Sequence, residues 1–324
     1  MEERWNNQPV ALLGGIAIFA SYTFSLLVVL PPTQEWMVLC SGGLVVFVVG
    51  LIDDLSGLSA GAKLAGQGAV AFGLTRCGII SHVTQNGWLD VPFTVLWIIG
   101  VTNALNLLDN MDGLACGAAI AASIGLWGLS LFHGQAGVAL MCLALAGSCA
   151  GFLKYNFQPA TIHMGDCGSL FLGYTLAVLA IMAGWRHGRA ATPGMLAPCL
   201  ILGVALFDTT LVCVLRLANH RKPWRGGRDH SSHRLVSVFN NNERHAVLAL
   251  YGIGILCSGL GMVLAIVAPV YGILLIACFC AAMTALGVML ARIPCYQSAG
   301  ERVAMSPMDP SSRKEAGQTR CNLD

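Results

Sequence analysis

The sequence predicts an all-α, polytopic integral membrane protein of about ten transmembrane helices, with its active site at the cytoplasmic face. Three observations predict it. Charge is scarce, apolar stretches of spanning length recur along the chain, and basic residues gather on one set of alternate loops. Only 10% of the 324 residues are Asp, Glu, Lys or Arg, against roughly 25% in a soluble domain, and 56% are hydrophobic. With a mean hydropathy of +0.70, this argues against a disordered polymer, a basic nucleic-acid binder or a disulfide-stapled secreted module. The 13 cysteines are scattered without a C-x-x-C pair and read as small buried hydrophobes.

A spanning helix needs about 20 mostly apolar residues. The segments that qualify lie near 10–30, 36–52, 64–80, 91–108, 114–132, 136–153, 169–185, 194–215, 246–268 and 270–291. The third is the most polar, carrying Gln67 and Arg76. The first follows Arg4, is longer than a secretory core and lacks a small-residue cleavage site, so it is expected to stay in the mature protein. With the N-terminus inside, 15 of the 18 Lys and Arg fall on the cytoplasmic side, and only Arg76, Arg186 and Arg189 fall outside. Both termini are therefore expected to be cytoplasmic.

Residues 1–291 read as one transmembrane catalytic domain, and 292–324 as a disordered cytoplasmic tail. The one long loop, 216–245, is basic and rich in His and Asn, the kind of connection that carries function. Glycine pairs such as Gly57 with Gly61 and Gly147 with Gly151 have the spacing of close helix packing in lipid.

The carboxylates are distributed unevenly. Of 16 Asp and Glu, a group of acids from three inner loops meets the cytoplasm at one depth: Asp53, Asp54, Asp109, Asp112 and Asp166. A lone acid at a membrane end is ordinarily just solvated. Such a gathering on so charge-poor a chain points instead to a site. In GLIDDLSGLSAGAKLAGQ, residues 50–67, adjacent acids repel, so a cation should hold them, and Lys63 is the local candidate. A purely structural pairing of Asp54 with Lys63 competes with a role at a metal-phosphate or a proton.

In TNALNLLDNMDGLACG, residues 102–117, a continuous helix would set Asn103, Asn106 and Asn110 within an arc of about 60°, with Asp109 and Asp112 following. Oxygens gathered this way suit a hard cation and the polar edge of a nucleotide. Interhelical hydrogen bonding by Asn is the plainer alternative. In HMGDCGSLFLGY, residues 163–174, Asp166 lies just before a helix whose free N–H groups can meet an anion; a simple N-cap by Asp166 or Ser169 explains it equally.

The long loop places Arg225, Arg228, His230, His233 and Arg234 within one short stretch. Basic groups facing acids make a diphosphate clamp. The two His lack further ligands at zinc spacing. Together these clusters describe a site for a divalent cation, a phosphate and a polar ligand at a membrane face. Phosphoryl transfer on a lipid substrate needs little more than such positioning.

These four motifs, in this order from GGIAIF at residue 14 to HRL at 235, resemble those of the polyprenyl-phosphate N-acetylhexosamine-1-phosphate transferases. The resemblance implies a phosphotransferase in the first membrane step of a cell-envelope polysaccharide such as lipopolysaccharide or the cell wall. It would move sugar 1-phosphate from a UDP-N-acetylhexosamine to undecaprenyl or another polyprenyl phosphate, releasing UMP, with Mg2+ required and Mn2+ as its substitute. Position by position, it implies that Asp53 and Asp54 lie near the lipid phosphate with Lys63 holding phosphate. Asn106 and Asp166 would approach the metal, with Asp109 close by. Asp112 would read the uracil, Asn103 and Gly113 would be among the substrate-binding residues, and the loop with Arg228, His230, His233 and Arg234 would close over sugar and diphosphate. The location implied is the inner (plasma) membrane. Family members often pair as homodimers, although no residue pattern marks a dimer face, and no nucleic acid is expected.

Two departures refine the resemblance. The chain begins almost at the family's P-x-x-x-G-G segment, read here as PVALLGG at residues 9–15, so either the start is misassigned or this member is expected to have ten spans. The loop reads H-S-S-H in place of three consecutive His, which favours UDP-GlcNAc over a muramoyl-pentapeptide donor. Asp208, inside the apolar run LFDTTL, is expected to support the inner wall of the site. The competing functions are a transporter, whose acids should recur near mid-membrane about a repeat, and an inactive relative that only binds polyprenyl phosphate.

Overall fold

The computed structural model describes residues 13–185, 193–222 and 227–293, and these are helical without a strand among them. Arg4, Arg186, Arg189, Arg225 and the tail from residue 294 lie outside the described residues. The helices are α1 (Gly15–Val29), α2 (Gln34–Ser56), α3 (Ala60–Arg76), α4 (Gly87–Leu108), α5 (Leu114–Phe132) and α6 (Ala136–Asn156). There follow α7 (Gly165–Ala180, continued by a π-turn at Ile181–Trp185), α8 (Ala197–Ile201), α9 (Gly203–Ala218), α10 (Ser231–Val238), α11 (Glu243–Ile266) and α12 (Pro269–Ala291).

Local chemistry sets several starts. The side chains of Ser59, Asn86 and Asn242 accept N–H groups from the first turns of α3, α4 and α11, and Pro269 opens α12, where its missing N–H costs nothing. Every apolar segment read from the sequence coincides with a helix. Among the described residues 7 helices are long and apolar enough to cross a membrane, or 8 if α8 and α9 form one span bent by 73°. The expectation of ten is not met on this measure, for two reasons. The described part of α1 is 15 residues, and α3 is a 17-residue helix carrying Lys63, Gln67 and Arg76. The multiple apolar helices make this a multi-pass membrane protein.

Helix α7 is the centre of the bundle, packed against α1, α2, α4, α5 and α6. Of all its residues from Gly165 to Ala180, only Asp166 is not buried. Close approach around it depends on glycine. A Cβ on Gly50 would lie 2.5 Å from Cys167 Cα, and one on Gly15 would lie 2.3 Å from the Gly168 nitrogen. The pairs Gly57 with Gly61 and Gly147 with Gly151, expected at packed interfaces, instead face open space: a Cβ on any of them would meet nothing within 4 Å among the described residues. At the other extreme, α12 buries only Gly272 and Leu290.

The loop predicted at 216–245 is partly ordered into helix. Helix α9 runs on to Ala218, α10 occupies Ser231–Val238, and α11 begins at Glu243.

Candidate functional site

Helix α2 ends in the pair Asp53 and Asp54, and Gly57 turns the chain at φ 71° into α3, whose first turn carries Lys63. Neighbouring residues on a helix point about 100° apart, so the two acids meet different partners. Lys63 Nζ donates to Asp53 Oδ2 at 2.7 Å and to Asp166 Oδ2 at 3.0 Å, joining α2, α3 and α7. Asp53 Oδ1 also accepts the Leu58 N–H. Asp54 does not pair with Lys63, as its spacing had allowed. Its carboxylate accepts the backbone N–H of Asp166 at 2.8 Å and of Cys167 at 2.9 Å. The first N–H groups of a helix have no partner within it, and the anion that meets those of α7 is Asp54. Gly165 permits this contact at φ 74°, where a Cβ would stand 2.8 Å from Asp54 Oδ2.

Helix α4 delivers the amides. Asn106 Nδ2 donates to Asp166 Oδ1 at 3.1 Å and to Ser169 Oγ at 2.9 Å, while one turn earlier Asn103 donates to Gln67 Oε1 at 2.6 Å. The helix does not continue through the motif, as the Asn arc assumed. It stops at Leu108 with Asp109 as its C-cap, and Gly113 at φ 78° reverses the chain into α5. Asn110 therefore leaves the common face, and its Oδ1 accepts from Ser232 Oγ at 2.5 Å.

Asp112 turns the other way. Its Oδ2 accepts the Ala160 N–H at 3.0 Å, and its Oδ1 lies 3.6 Å from His163 Nδ1. Gly113 donates to Asn156 Oδ1 and accepts from Tyr251, anchoring this turn to α6 and α11. The predicted acids thus form two neighbourhoods. Asp53, Asp54 and Asp166 share one with Lys63 and Asn106, while Asp109 and Asp112 occupy the α4–α5 turn.

The long loop is pinned from α9. Asp208, 0% exposed, takes His230 Nδ1 at 2.8 Å and the Ser231 N–H and Oγ at 2.7 and 2.6 Å. Arg216 makes a two-point ion pair with Asp229 at 2.9 and 2.7 Å. Arg234, expected to face diphosphate, is 2% exposed and donates to the carbonyls of Asp229, Leu290 and Ile293, so the structure places it between α10 and α12. Arg228 is exposed. His233 is buried with its ring centroid 6.2 Å from that of His230; burial first, then the electrostatic influence of His230 and of the Arg228 guanidinium, pushes its imidazole down to about 4. Sequence reasoning missed Arg216, Asp229, Asn156 and Tyr251, and read Ser169 only as a helix cap. Only Arg216 left a signal, as a cation at the end of an apolar run.

What the arrangement can do is position phosphates. It offers an ammonium between two carboxylates, a partly exposed Asp166 carboxylate beside an amide, and a loop with two imidazoles and an exposed guanidinium. Among the described residues no cluster of three or more His, Cys, Asp or Glu could hold a metal ion by itself.

Residues 36–184 match the profile of glycosyl transferase family 4. The probable undecaprenyl-phosphate N-acetylglucosaminyl 1-phosphate transferase of Bacillus subtilis is 35% identical over 256 residues, covering 76% of this chain and 71% of that protein. The decaprenyl-phosphate N-acetylglucosaminephosphotransferase of Mycolicibacterium smegmatis is 28% identical over 289 residues, 78% of this chain and 71% of the relative. A phospho-N-acetylmuramoyl-pentapeptide-transferase of Moorella thermoacetica is 36% identical over a shorter 194 residues, 52% of this chain and 60% of its own length.

Proposed function

The chain belongs to glycosyl transferase family 4, and from that premise we propose that it transfers N-acetylglucosamine 1-phosphate from UDP-GlcNAc to a polyprenyl phosphate at the cytoplasmic face of the membrane, releasing UMP. The observation that carries the reading is Lys63 bridging Asp53 and Asp166 from three different helices, in a chain similar over most of its length to transferases of this kind.

The residues present fit a hard divalent cation such as Mg2+. That ion is held by one or two carboxylates together with substrate phosphates and water rather than by an all-protein cage. Asp166, the one residue of the central helix that is not buried, and the neighbouring Asn106 offer oxygen donors of that type. Mg2+ bound there would supply charge neutralisation at the diphosphate.

In the reaction, an oxygen of the lipid phosphate forms a bond to the phosphorus bearing the sugar, and the bond from that phosphorus to the UMP oxygen breaks. The lipid phosphate has a second pKa near 6 and is largely dianionic at neutral pH. Asp53 therefore serves to position rather than to remove a proton. It holds Lys63, whose ammonium orients phosphate and offsets its charge. Asp54 fixes the backbone that carries Asp166. Asp112 and Gly113, anchored beside Asn156 and Tyr251, form the turn that receives the uracil. Asp109 ends α4 between these two regions. Arg228, His230 and His233 cover the diphosphate from the loop, and Arg234 sets the height of that loop through its backbone bonds.

Purified protein with Mg2+, undecaprenyl phosphate and labelled UDP-GlcNAc is expected to yield UMP and a lipid-linked sugar. Folded, monodisperse protein that stays silent with a panel of UDP-sugars overturns the reading.

A further inference from the structure

We propose that Asp208 is a positioning residue that holds His230 with its Nδ1 proton on the carboxylate, so that Nε2 is the ring nitrogen that takes up a proton when the donor binds and donates it to a diphosphate oxygen. This rests on the reading that the loop serves such a donor. An acid buried inside an apolar helix is costly unless its hydrogen bonds are complete. Asp208 is 0% exposed, and among the described residues its hydrogen bonds come from two consecutive residues of the loop, His230 and Ser231. An ionised carboxylate only accepts, which fixes the proton on His230 Nδ1 and leaves Nε2 for other work.

The two oxygens of Asp208 have separable tasks. Oδ1 takes the Ser231 N–H and hydroxyl, and so caps α10, whose own N-cap residue, His230, makes no side-chain cap. Among the described residues Oδ2 takes only the His230 ring. The cap is structural, whereas the ring contact has no bearing on helix termination.

The surrounding residues leave the loop little freedom. Arg216, further along α9, locks Asp229 through both carboxylate oxygens with each side chain 3% exposed. On the far side Ser232 Oγ reaches Asn110 in the α4–α5 turn, next to Asp109 and Asp112. Asp229, His230, Ser231 and Ser232 are thus each tied by side chain to another element. Helix α9 is the rail on which the loop is indexed.

Asp208→Asn separates the two tasks. Its remaining oxygen still caps α10 at Ser231, while its amide presents hydrogens to His230 Nδ1 and drives the ring proton to Nε2. Histidine-selective 15N NMR of the full chain in detergent, at a pH of about 8 where imidazole is neutral, should show His230 as the Nδ1–H form in the native protein and the Nε2–H form in Asp208→Asn. The rate kcat should fall by the order of 10- to 100-fold, as when a carboxylate that orients a histidine is lost, with the KM for lipid phosphate unchanged. In a His230→Gln background, Asp208→Asn should add no further loss, because it acts through the ring. Equal losses in both backgrounds, or a native His230 in the Nε2–H form, overturn the proposal; the second observation needs no variant to fold. A protein inactive toward every UDP-sugar that still shows the Nδ1–H form overturns the donor reading while supporting the hold of Asp208 on His230.

Discussion

The carboxylate of Asp54 accepts the backbone N–H of Asp166 at 2.8 Å and so caps a helix to which it does not belong. The adjacent Asp53 is instead paired with an ammonium. The two acids should therefore fail differently. Asp54→Ala is expected to lower the thermal midpoint in detergent, by the equivalent of about 0.5–2 kcal/mol for a lost cap, and to lower activity by displacing Asp166. Asp53→Asn should lower kcat with the smaller change in midpoint. Thermal unfolding measured beside turnover separates the two patterns; identical patterns would refute the division of labour.

Gly165→Ala should be disabling although it adds a single methyl group. The residue sits at φ 74°, which costs a side chain roughly 1–2 kcal/mol, and the new Cβ would lie 2.8 Å from Asp54 Oδ2. Gly147→Ala is the control, because its Cβ meets nothing within 4 Å. That variant should keep full activity and an equal or slightly higher midpoint, since Ala is favoured over Gly in a helix interior by about 0.5–1 kcal/mol.

Arg216 and Asp229 are each 3% exposed, so removing one leaves the other charged and buried. Arg216→Met is expected to destabilise by about 3–5 kcal/mol. The double variant Arg216→Met with Asp229→Leu should recover much of that loss, since no charge is stranded. Equal midpoints for the single and double variants would argue against a tight pair.

His233 supplies a pH dependence of stability. Its imidazole is pushed down from 6.5 to about 4 by burial and by the electrostatic influence of His230 and Arg228. Between those values the unfolded chain binds a proton that the folded chain refuses, so stability rises with pH there. The contribution is complete above 6.5 and is lost as pH falls toward 4. Relative to His233→Gln, the native midpoint should hold a constant margin above neutrality and lose that margin on acidification. A margin independent of pH would contradict the shift.

The apolar runs were legible as helical because a bilayer demands them, although α1 and α3 fall short of spanning length among the described residues and the run at 194–215 is bent. The acids stood out because charge is so scarce. Their partners were legible only in part: Lys63, the local candidate cation, does hold Asp53, but its reach to Asp166 left no local signal. Lys63 is 103 residues from Asp166, and nothing in local spacing selects it over a pairing with Asp54. The break after Leu108 was hidden because Asn and Asp serve both a helix face and a turn; Gly113 was the residue that marked it. Arg234 looked like a ligand residue because composition records a charge but not its direction. The open faces of Gly147 and Gly151 show the same limit, since spacing alone does not say which surface a neighbour occupies.

Helix α12 buries only Gly272 and Leu290, yet the carbonyls at its end, those of Leu290 and Ile293, are held by the same Arg234 that holds the Asp229 carbonyl. A helix so little embraced by protein takes its tilt from the hydrocarbon around it, and tilt follows bilayer thickness. Arg234 thereby makes a mechanical link between the lipid and the segment bearing His230 and His233. Turnover is expected to depend on acyl-chain length, with the membrane acting as part of the lever that sets the histidines.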